Sequence, residues 1–223
     1  MAPQKGKAMR TFLTVPMAGL LVLAVAAPVA AGPNVGNYSS SVELAQADWG
    51  SFDKESGGYT YGYLTVSREQ GSSQAFAEYS QYSEQYVQCT GAETPDDPGD
   101  DTFGTKTSST WGFGPASLSI GARFSSATAS ATLEAYAEAF DECTGEWSSE
   151  DVSALSIGLD LTATSGLVKE SGRGSFHLPG EINNHSSYKA SYRQAEGSVD
   201  GADGHLDAFG QIGKVTWTEH SNG

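Results

Sequence analysis

The sequence has few basic residues, two cysteines and, after residue 31, no long apolar run. Its 12 Lys and Arg residues stand against 27 Asp and Glu residues, for a formal charge of −15. Nucleic acid and anionic membrane surfaces would repel such a chain, so neither is an expected partner. Because a spanning helix needs about 20 apolar residues, we expect no membrane span in the mature chain.

Motifs of several enzyme classes are also missing. There is no Gly-x-Ser-x-Gly elbow, no Walker phosphate loop and no dinucleotide-binding fingerprint, and no spacing singles out one of the four histidines as a general base. The two cysteines lack the Cys-x-x-Cys spacing of redox sites. The sequence therefore contains no motif that predicts catalysis.

The N-terminal region has the three parts of an export signal. A basic start, an apolar centre and a small-residue end cover residues 5–10, 12–27 and 29–31. This order predicts a signal peptide over residues 1–31, cleaved after Ala31. A membrane anchor is disfavoured because the apolar run is short. We therefore expect a secreted, extracellular or cell-surface protein.

The mature chain, residues 32–223, is expected to form one domain, since about 192 residues suffice for a single core. The signal removes three basic residues and no acidic ones, which leaves nine against 27 and a formal charge of −18. Gly, Ser, Thr and Tyr are abundant, a composition typical of many short strands with half-buried faces. These features predict an all-β domain.

An internal repeat appears when the sequence is shifted by 54 residues against itself. The matches are Leu64 with Leu118, Tyr82 with Tyr136, Glu84 with Glu138, Tyr86 with Phe140, and Cys89 with Cys143. A third, weaker copy lies between Leu155 and Gly197. The repeat predicts strand-pair units over residues 55–91, 109–145 and 150–197, followed by a C-terminal hairpin over 199–219.

Alternating apolar positions predict the first strand of each unit, as in Leu155, Ile157, Leu159 and Leu161. The second segments are ambiguous, because residues 133–140 also fit a helical face. The matching segments, 72–88 and 186–194, are rich in Ser, Gln and Tyr, which favours strands. We therefore predict an antiparallel β-sandwich or barrel built from about three strand-pair units.

Cys89 and Cys143 occupy equivalent positions of neighbouring units. In an exported protein, an isolated pair of cysteines is typical of a structural disulfide. We predict that the two are bonded.

Glu84 and Glu138 are candidate catalytic residues. Each lies between aromatic residues of one strand face, Tyr82 and Tyr86 for the first and Tyr136 and Phe140 for the second, and these four are the candidate ligand-binding residues. Paired carboxylates with aromatic platforms are features of glycosidases and sugar-binding clefts. The simpler interpretation is a solvated face of a sheet.

The acidic stretch over residues 94–101 is a candidate calcium site. Its four carboxylates belong to Asp96, Asp97, Asp100 and Asp101, and oxygen-rich loops hold calcium in extracellular proteins. The alternating Asp-x-Asp-x-Asp-Gly spacing is missing, so a plain surface loop is the simpler interpretation. No other cofactor is predicted.

Together these features favour a secreted, non-catalytic β-domain that acts as a binding or structural module at or near the cell surface. Its partner is expected to be a glycan or a protein. Two alternatives stay open: a carbohydrate-active enzyme using Glu84 and Glu138, and an extracellular module stabilised by calcium.

Overall fold

The computed structural model describes residues 36–54, 57–89, 103–178, 182–201 and 204–222, most of them in strands. The strands are β1 (Gly36–Phe52), β2 (Tyr59–Glu69), β3 (Ala75–Gln88), β4 (Phe103–Ile120), β5 (Ser126–Asp141), β6 (Glu146–Ala163), β7 (Val168–Leu178), β8 (Ile182–Gly201) and β9 (Gly204–Asn222). A 3-10 turn, Ala122–Phe124, connects β4 to β5.

The nine strands form one antiparallel sheet that closes into a barrel. Strands β1 to β6 pair in sequence order, and β9 pairs with both β1 and β8. Pairing of residues 158–163 of β6 with residues 195–200 of β8 completes the circle. Strand β7 pairs with residues 182–192 on the same edge of β8, so β6 and β7 lie one after the other along β8. The all-β prediction is confirmed, and of the two predicted architectures the chain adopts the barrel.

The alternating side chains of each strand explain the core. Leu155, Ile157, Leu159 and Leu161 of β6 all point into the barrel, where each is buried, because side chains two apart share a face of the sheet. Other strands contribute Ala45, Leu64, Val66, Ala77, Leu118, Leu133, Ala195, Val199 and Ile212. Most of these side chains are small or branched, so they fill the narrow interior of a small barrel.

One aromatic layer crosses this core. Trp49 of β1 is buried and stacks on Tyr79 of β3, with ring centroids 5.7 Å apart. The indole also covers Gly62 of β2, where an added Cβ would lie 2.3 Å from the ring. The absence of a side chain at residue 62 therefore makes room for the largest side chain of the core.

The second segments of the predicted units are strands and not helices. Residues 75–88 and 126–141 form β3 and β5, and residues 186–194 lie in β8. The C-terminal hairpin predicted over residues 199–219 does not form within those bounds, because residues 204–222 make one continuous strand, β9, that pairs with almost the whole length of β8. Strand β9 runs without a break through Gly210 and Gly213. Only glycine fits at residue 210, because β1 approaches so closely there that a Cβ would lie 1.9 Å from the Gln46 carbonyl oxygen.

The first two predicted repeat units each contain a hairpin, but the hairpins differ in register. Leu64 pairs with Tyr79 in the β2–β3 hairpin, whereas its match Leu118 pairs with Ala129 in the β4–β5 hairpin. The 54-residue shift would instead place Leu118 opposite Leu133. Duplication of a strand pair stays a prediction about the origin of the chain.

The predicted disulfide is confirmed. Cys89 and Cys143 are bonded, with Cα atoms 5.1 Å apart. They connect the end of β3 to the turn after β5, and they pack against Gly104 of β4, where a Cβ would lie 2.8 Å from the Cys89 Sγ. We call this end of the barrel, where β1 turns into β2 and β8 into β9, the disulfide end.

Candidate functional site

Three neighbouring strands form a shallow groove on the outer face of the barrel at the disulfide end. Its floor is β4, whose outward side chains here are Thr105, Thr107 and Ser109. Strands β3 and β5 flank β4 and carry larger outward side chains. Because adjacent strands lie about 4.8 Å apart, the two walls are separated by roughly 10 Å. We call this feature the β4 groove.

Each wall of the β4 groove carries two aromatic side chains with a glutamate between them. The six residues are Tyr82, Glu84 and Tyr86 on β3, and Tyr136, Glu138 and Phe140 on β5. Trp111 ends the floor on the side away from the disulfide, with its ring centroid 4.9 Å from that of Tyr136. The structure thus brings all six candidate residues to a single surface.

Two further aromatic residues extend the groove sideways. A row of directly paired residues crosses it: Tyr59, Glu84, Thr107, Phe140 and Trp147. Tyr59 lies 5.8 Å from the Tyr82 ring, and Trp147, which is 61% exposed, lies 6.1 Å from the Phe140 ring. Four strand spacings give this row a width of roughly 19 Å.

Hydrogen bonds hold the carboxylate of Glu84 in place. The hydroxyl groups of Tyr82 and Tyr59 both donate to its Oε2, at 2.8 and 3.2 Å. Burial, together with the hydrogen bond to Glu84, raises the pKa of Tyr82. Tyr82 therefore stays a neutral donor at ordinary pH, and Glu84 is oriented before any ligand arrives.

Glu138 lies on the opposite wall, one step further along the strands. It pairs with Ser109, whereas Glu84 pairs with the neighbouring outward residue Thr107. This register places the two glutamate Cα atoms roughly 12 Å apart. Both side chains face outward across an open floor, so both can contact one ligand in the groove.

Charge is separated between the two faces of the sheet. The cationic side chains of the described strands all occupy inward positions: Arg68, Lys106, Lys169, Arg173, Lys189, Arg193 and Lys214. Most of the acidic side chains occupy outward positions, among them Asp48, Glu78, Glu84, Glu134, Glu138, Glu170, Glu196 and Glu219. The β4 groove therefore lies on an acidic surface.

The inner face of the same strands borders an open polar cavity of about 800 Å³. Its inward-facing lining combines hydroxyl-bearing side chains with charged ones: Ser51, Thr60, Ser83, Ser108 and Ser148, and Lys106, Asp141 and Glu146. Lys106 and Asp141, directly paired on β4 and β5, form an ion pair there, with the Lys106 Nζ 2.8 Å from the Asp141 Oδ2. The Lys106 hydrogen bond lowers the pKa of the Asp141 carboxyl group, so this carboxyl group is ionised at neutral pH.

The calcium prediction lies outside the described residues, as does the predicted signal peptide. Within the residues that the structure describes, no group of three or more His, Cys, Asp or Glu side chains is arranged to hold a metal ion. In the same part of the chain, no helix is both long and apolar enough to cross a membrane.

Sequence reasoning missed the floor and the outer aromatic residues of the groove. The floor is formed by alternate residues of β4: Thr105, Thr107, Ser109 and Trp111. The first part of this segment lies before the predicted second unit, which starts at residue 109, and the segment has no alternating apolar residues that would predict a strand. Trp147 follows the second cysteine closely. The sequence does contain a run of small polar residues at alternate positions of β4. That run predicts a groove only once β4 is known to lie between two strands with outward aromatic residues.

Comparison with known proteins gives no family. No protein-family model matches the sequence, and no curated protein matches it. Among solved structures, the crystal structure of Neisserial surface protein A matches with a TM-score of 0.27 and 11% identity, covering 82% of this chain and 97% of that chain. A likeness this distant assigns no function to the chain.

Proposed function

We propose that the mature chain is a secreted, non-catalytic module that binds a neutral glycan in the β4 groove. The observation that carries this proposal is the pairing of aromatic walls with a hydroxyl-bearing floor. Sugar rings have apolar faces that stack on aromatic side chains, and their hydroxyl groups bond to carboxylates, Thr and Ser. The β4 groove offers both kinds of contact.

Exposed aromatic side chains support a binding role. Trp147 is 61%, Tyr86 54% and Trp111 38% exposed, and exposed apolar surface rimmed by polar residues is typical of interaction sites. A sugar chain that covers these rings would remove their apolar surface from water, which stabilises the complex by about 25 cal/mol for each Å² buried.

The charge of the outer face favours a neutral ligand. Glu84 and Glu138 line the groove, and the described strands place no Lys or Arg on this face. An anionic polymer would be repelled, so nucleic acid and acidic membrane surfaces are not proposed as partners. The outward carboxylates are spread along the length of the strands, and burying them in the hydrocarbon core of a membrane would be costly. We therefore propose that the barrel works in water outside the cell.

Binding without catalysis fits the geometry of the two glutamates better than hydrolysis does. In an inverting glycosidase the carboxyl groups lie about 6.5–9.5 Å apart, and in a retaining enzyme about 5–5.5 Å apart. The Cα atoms of Glu84 and Glu138 lie farther apart than either distance, at roughly 12 Å. Glu84 is held by Tyr59 and Tyr82 on its own wall, and the groove is open to water. These features suit the recognition of sugar hydroxyls more than the protonation of a glycosidic oxygen.

The proposal is tested with hydroxyethyl cellulose, xylan, laminarin and soluble starch as probes, using affinity electrophoresis and thermal unfolding. A ligand at a hundred times its dissociation constant stabilises the folded state by about 2.7 kcal/mol. We expect one of these glycans to bind, and Trp111→Ala to weaken that binding about tenfold or more. The matched control is Trp217→Ala, an exposed outward tryptophan of β9. If both variants lose glycan affinity equally, or if no glycan binds, the proposed glycan site is wrong. The chain would then be a structural or protein-binding module.

Glycoside hydrolysis is the second candidate, because Glu84 and Glu138 lie on opposite walls of the same groove, offset by one outward position along the strands. Reducing-end release from the same four glycans measures it. If the chain is an enzyme, Glu84→Gln or Glu138→Gln abolishes the release while the variant still binds. Release that persists in both variants would exclude these residues as the catalytic pair.

A further inference from the structure

A second surface lies at the end of the barrel away from the disulfide. Here the sheet continues beyond the closed part: residues 36–41 of β1 pair only with β9, and residues 168–178 of β7 pair only with β8. We call the inward face of this four-stranded part, from β7 through β8 and β9 to β1, the basic extension.

Four cationic side chains share the basic extension. Lys169 of β7 and Lys214 of β9 both pair with Ser191 of β8. Lys189 of β8 pairs with Ser171, the next inward residue of β7, and Arg173 follows two residues later on β7. Because diagonal neighbours on a sheet lie about 7–8 Å apart, these positions place positive charges at short, regular intervals.

The cations have almost no acidic neighbours on this face. The nearest inward carboxylate is that of Glu43, which lies just beyond the extension on β1 and directly opposite Lys214; Arg68 binds it at 2.7 Å. Lys214 donates to the Gln70 side-chain oxygen at 3.2 Å. Lys169, Arg173 and Lys189 are exposed and form no ion pair with the described residues.

Hydroxyl groups fill the positions between the charges. The inward residues of the extension include Ser171, Ser187, Ser191, Thr216 and Thr218. No Tyr, Phe or Trp lies among its described inward side chains, and the rings there are the small imidazoles of His185 and His220. The surface therefore lacks the large aromatic platforms on which nucleic-acid bases stack. The cationic side chains can bind the acidic groups of an anionic polysaccharide, and the hydroxyl groups between them can bond to its sugar hydroxyls.

We propose that the basic extension binds an anionic polysaccharide, one whose sugars carry sulfate or carboxylate groups. The acidic outward residues lie on the other side of the sheet, and the field of exposed charges is screened over about 8 Å at physiological salt. Locally the ligand therefore meets cations, although the chain as a whole is acidic. This site is separate from the β4 groove and does not depend on the function proposed for it.

The test is a titration of the mature protein with dextran sulfate, with uncharged dextran as the matched polymer. We expect dextran sulfate alone to bind, with an affinity that falls as NaCl is added. Lys189→Gln is expected to weaken binding about fivefold, since one cation near an anionic surface contributes about 1 kcal/mol. Lys54→Gln, which removes one exposed charge at the disulfide end, should leave the affinity unchanged. Lys169→Glu combined with Lys189→Glu should abolish binding.

Circular dichroism and melting temperature show whether each variant is folded. The proposal is overturned if uncharged dextran binds equally well, if Lys54→Gln weakens binding as much as Lys189→Gln, or if the folded double variant still binds. Tighter binding of a single-stranded oligonucleotide than of dextran sulfate would also contradict it. So would concentration-dependent self-association that Lys189→Gln abolishes, because a second copy of the chain would then occupy the surface.

Discussion

The indole Nε1 of Trp49 donates a hydrogen bond to the Oε1 of Gln81 at 3.2 Å, inside the barrel. The same oxygen accepts the hydroxyl group of Tyr79 at 3.1 Å. One side-chain amide thus binds two aromatic donors in a core that is otherwise apolar. Because Trp49 lies on β1 and the other two residues lie on β3, the network links two strands across the intervening β2.

Replacing Gln81 should destabilise the fold. The Gln81→Met variant keeps the size of the side chain but leaves the donors of Trp49 and Tyr79 without this acceptor. We expect the free energy of unfolding to fall by about 2 kcal/mol, since an unsatisfied buried donor costs about 1–3 kcal/mol. Urea denaturation measures the change. Gln85→Met is the control, on the same face of β3 but exposed; an equal loss there would disprove the role of the network.

Gly62→Ala should be costly because of Trp49. The added methyl group would lie 2.3 Å from the indole ring, so the ring must move, and overpacking of this kind costs about 1–3 kcal/mol. Gly50→Ala is the control, since its nearest neighbour would lie at 3.5 Å. In a Trp49→Leu background the cost of Gly62→Ala should largely disappear. An unchanged cost in that background would show that the collision is not its cause.

The disulfide should contribute strongly to stability. Cys89 and Cys143 are separated by 54 residues, and closing a loop of this length stabilises the folded state by about 4 kcal/mol on the chain-entropy account. We expect the double variant Cys89→Ser with Cys143→Ser to melt roughly 10 °C lower. A reductant should lower the melting temperature of the native chain and leave that of the variant unchanged. Equal melting temperatures of the oxidised chain and the variant would contradict this expectation.

Stability should decline at alkaline pH. Burial and the hydrogen bond to Glu78 raise the pKa of Tyr63 from 10.0 to about 12. A raised pKa stabilises the folded chain below the unfolded value, and this contribution is lost as the pH rises through 10 toward 12. Other tyrosines with a raised pKa, Tyr82 among them, also ionise late. Tyr63→Phe should therefore reduce the amplitude of the late tyrosinate absorbance by one tyrosine, and Glu78→Gln should move that part to lower pH. A late absorbance that both variants leave unchanged would contradict the role of Tyr63.

Much of the architecture could be predicted from local patterns. The alternation of Leu155 to Leu161 predicts a strand with one buried face, and that alternation arises directly from the geometry of β-strands. The spacing of Cys89 and Cys143 in matching segments predicts their bond. The predicted Tyr and Glu face is also present, because residues two apart on one strand share a face whatever the strand order is.

Features that depend on strand order could not be predicted. The β4 groove exists because β4, with Thr107 and Ser109, lies between β3 and β5, and sequence alone does not fix that neighbourhood. The basic extension depends on the break after Ala163, which lets β7 continue along β8. Closure of the sheet into a barrel rests on the same long-range pairing of β6 with β8, which has no local signal.

The most direct test of the central claim, that the β4 groove binds a neutral glycan, is hydroxyl-radical footprinting of the tryptophans with and without the glycan that binds best. A glycan seated in the β4 groove should protect Trp111 and Trp147, while Trp217, on the outer face of β9, keeps its reactivity. Protection of Trp217 alone, or binding that leaves Trp111 and Trp147 as reactive as before, would contradict the claim.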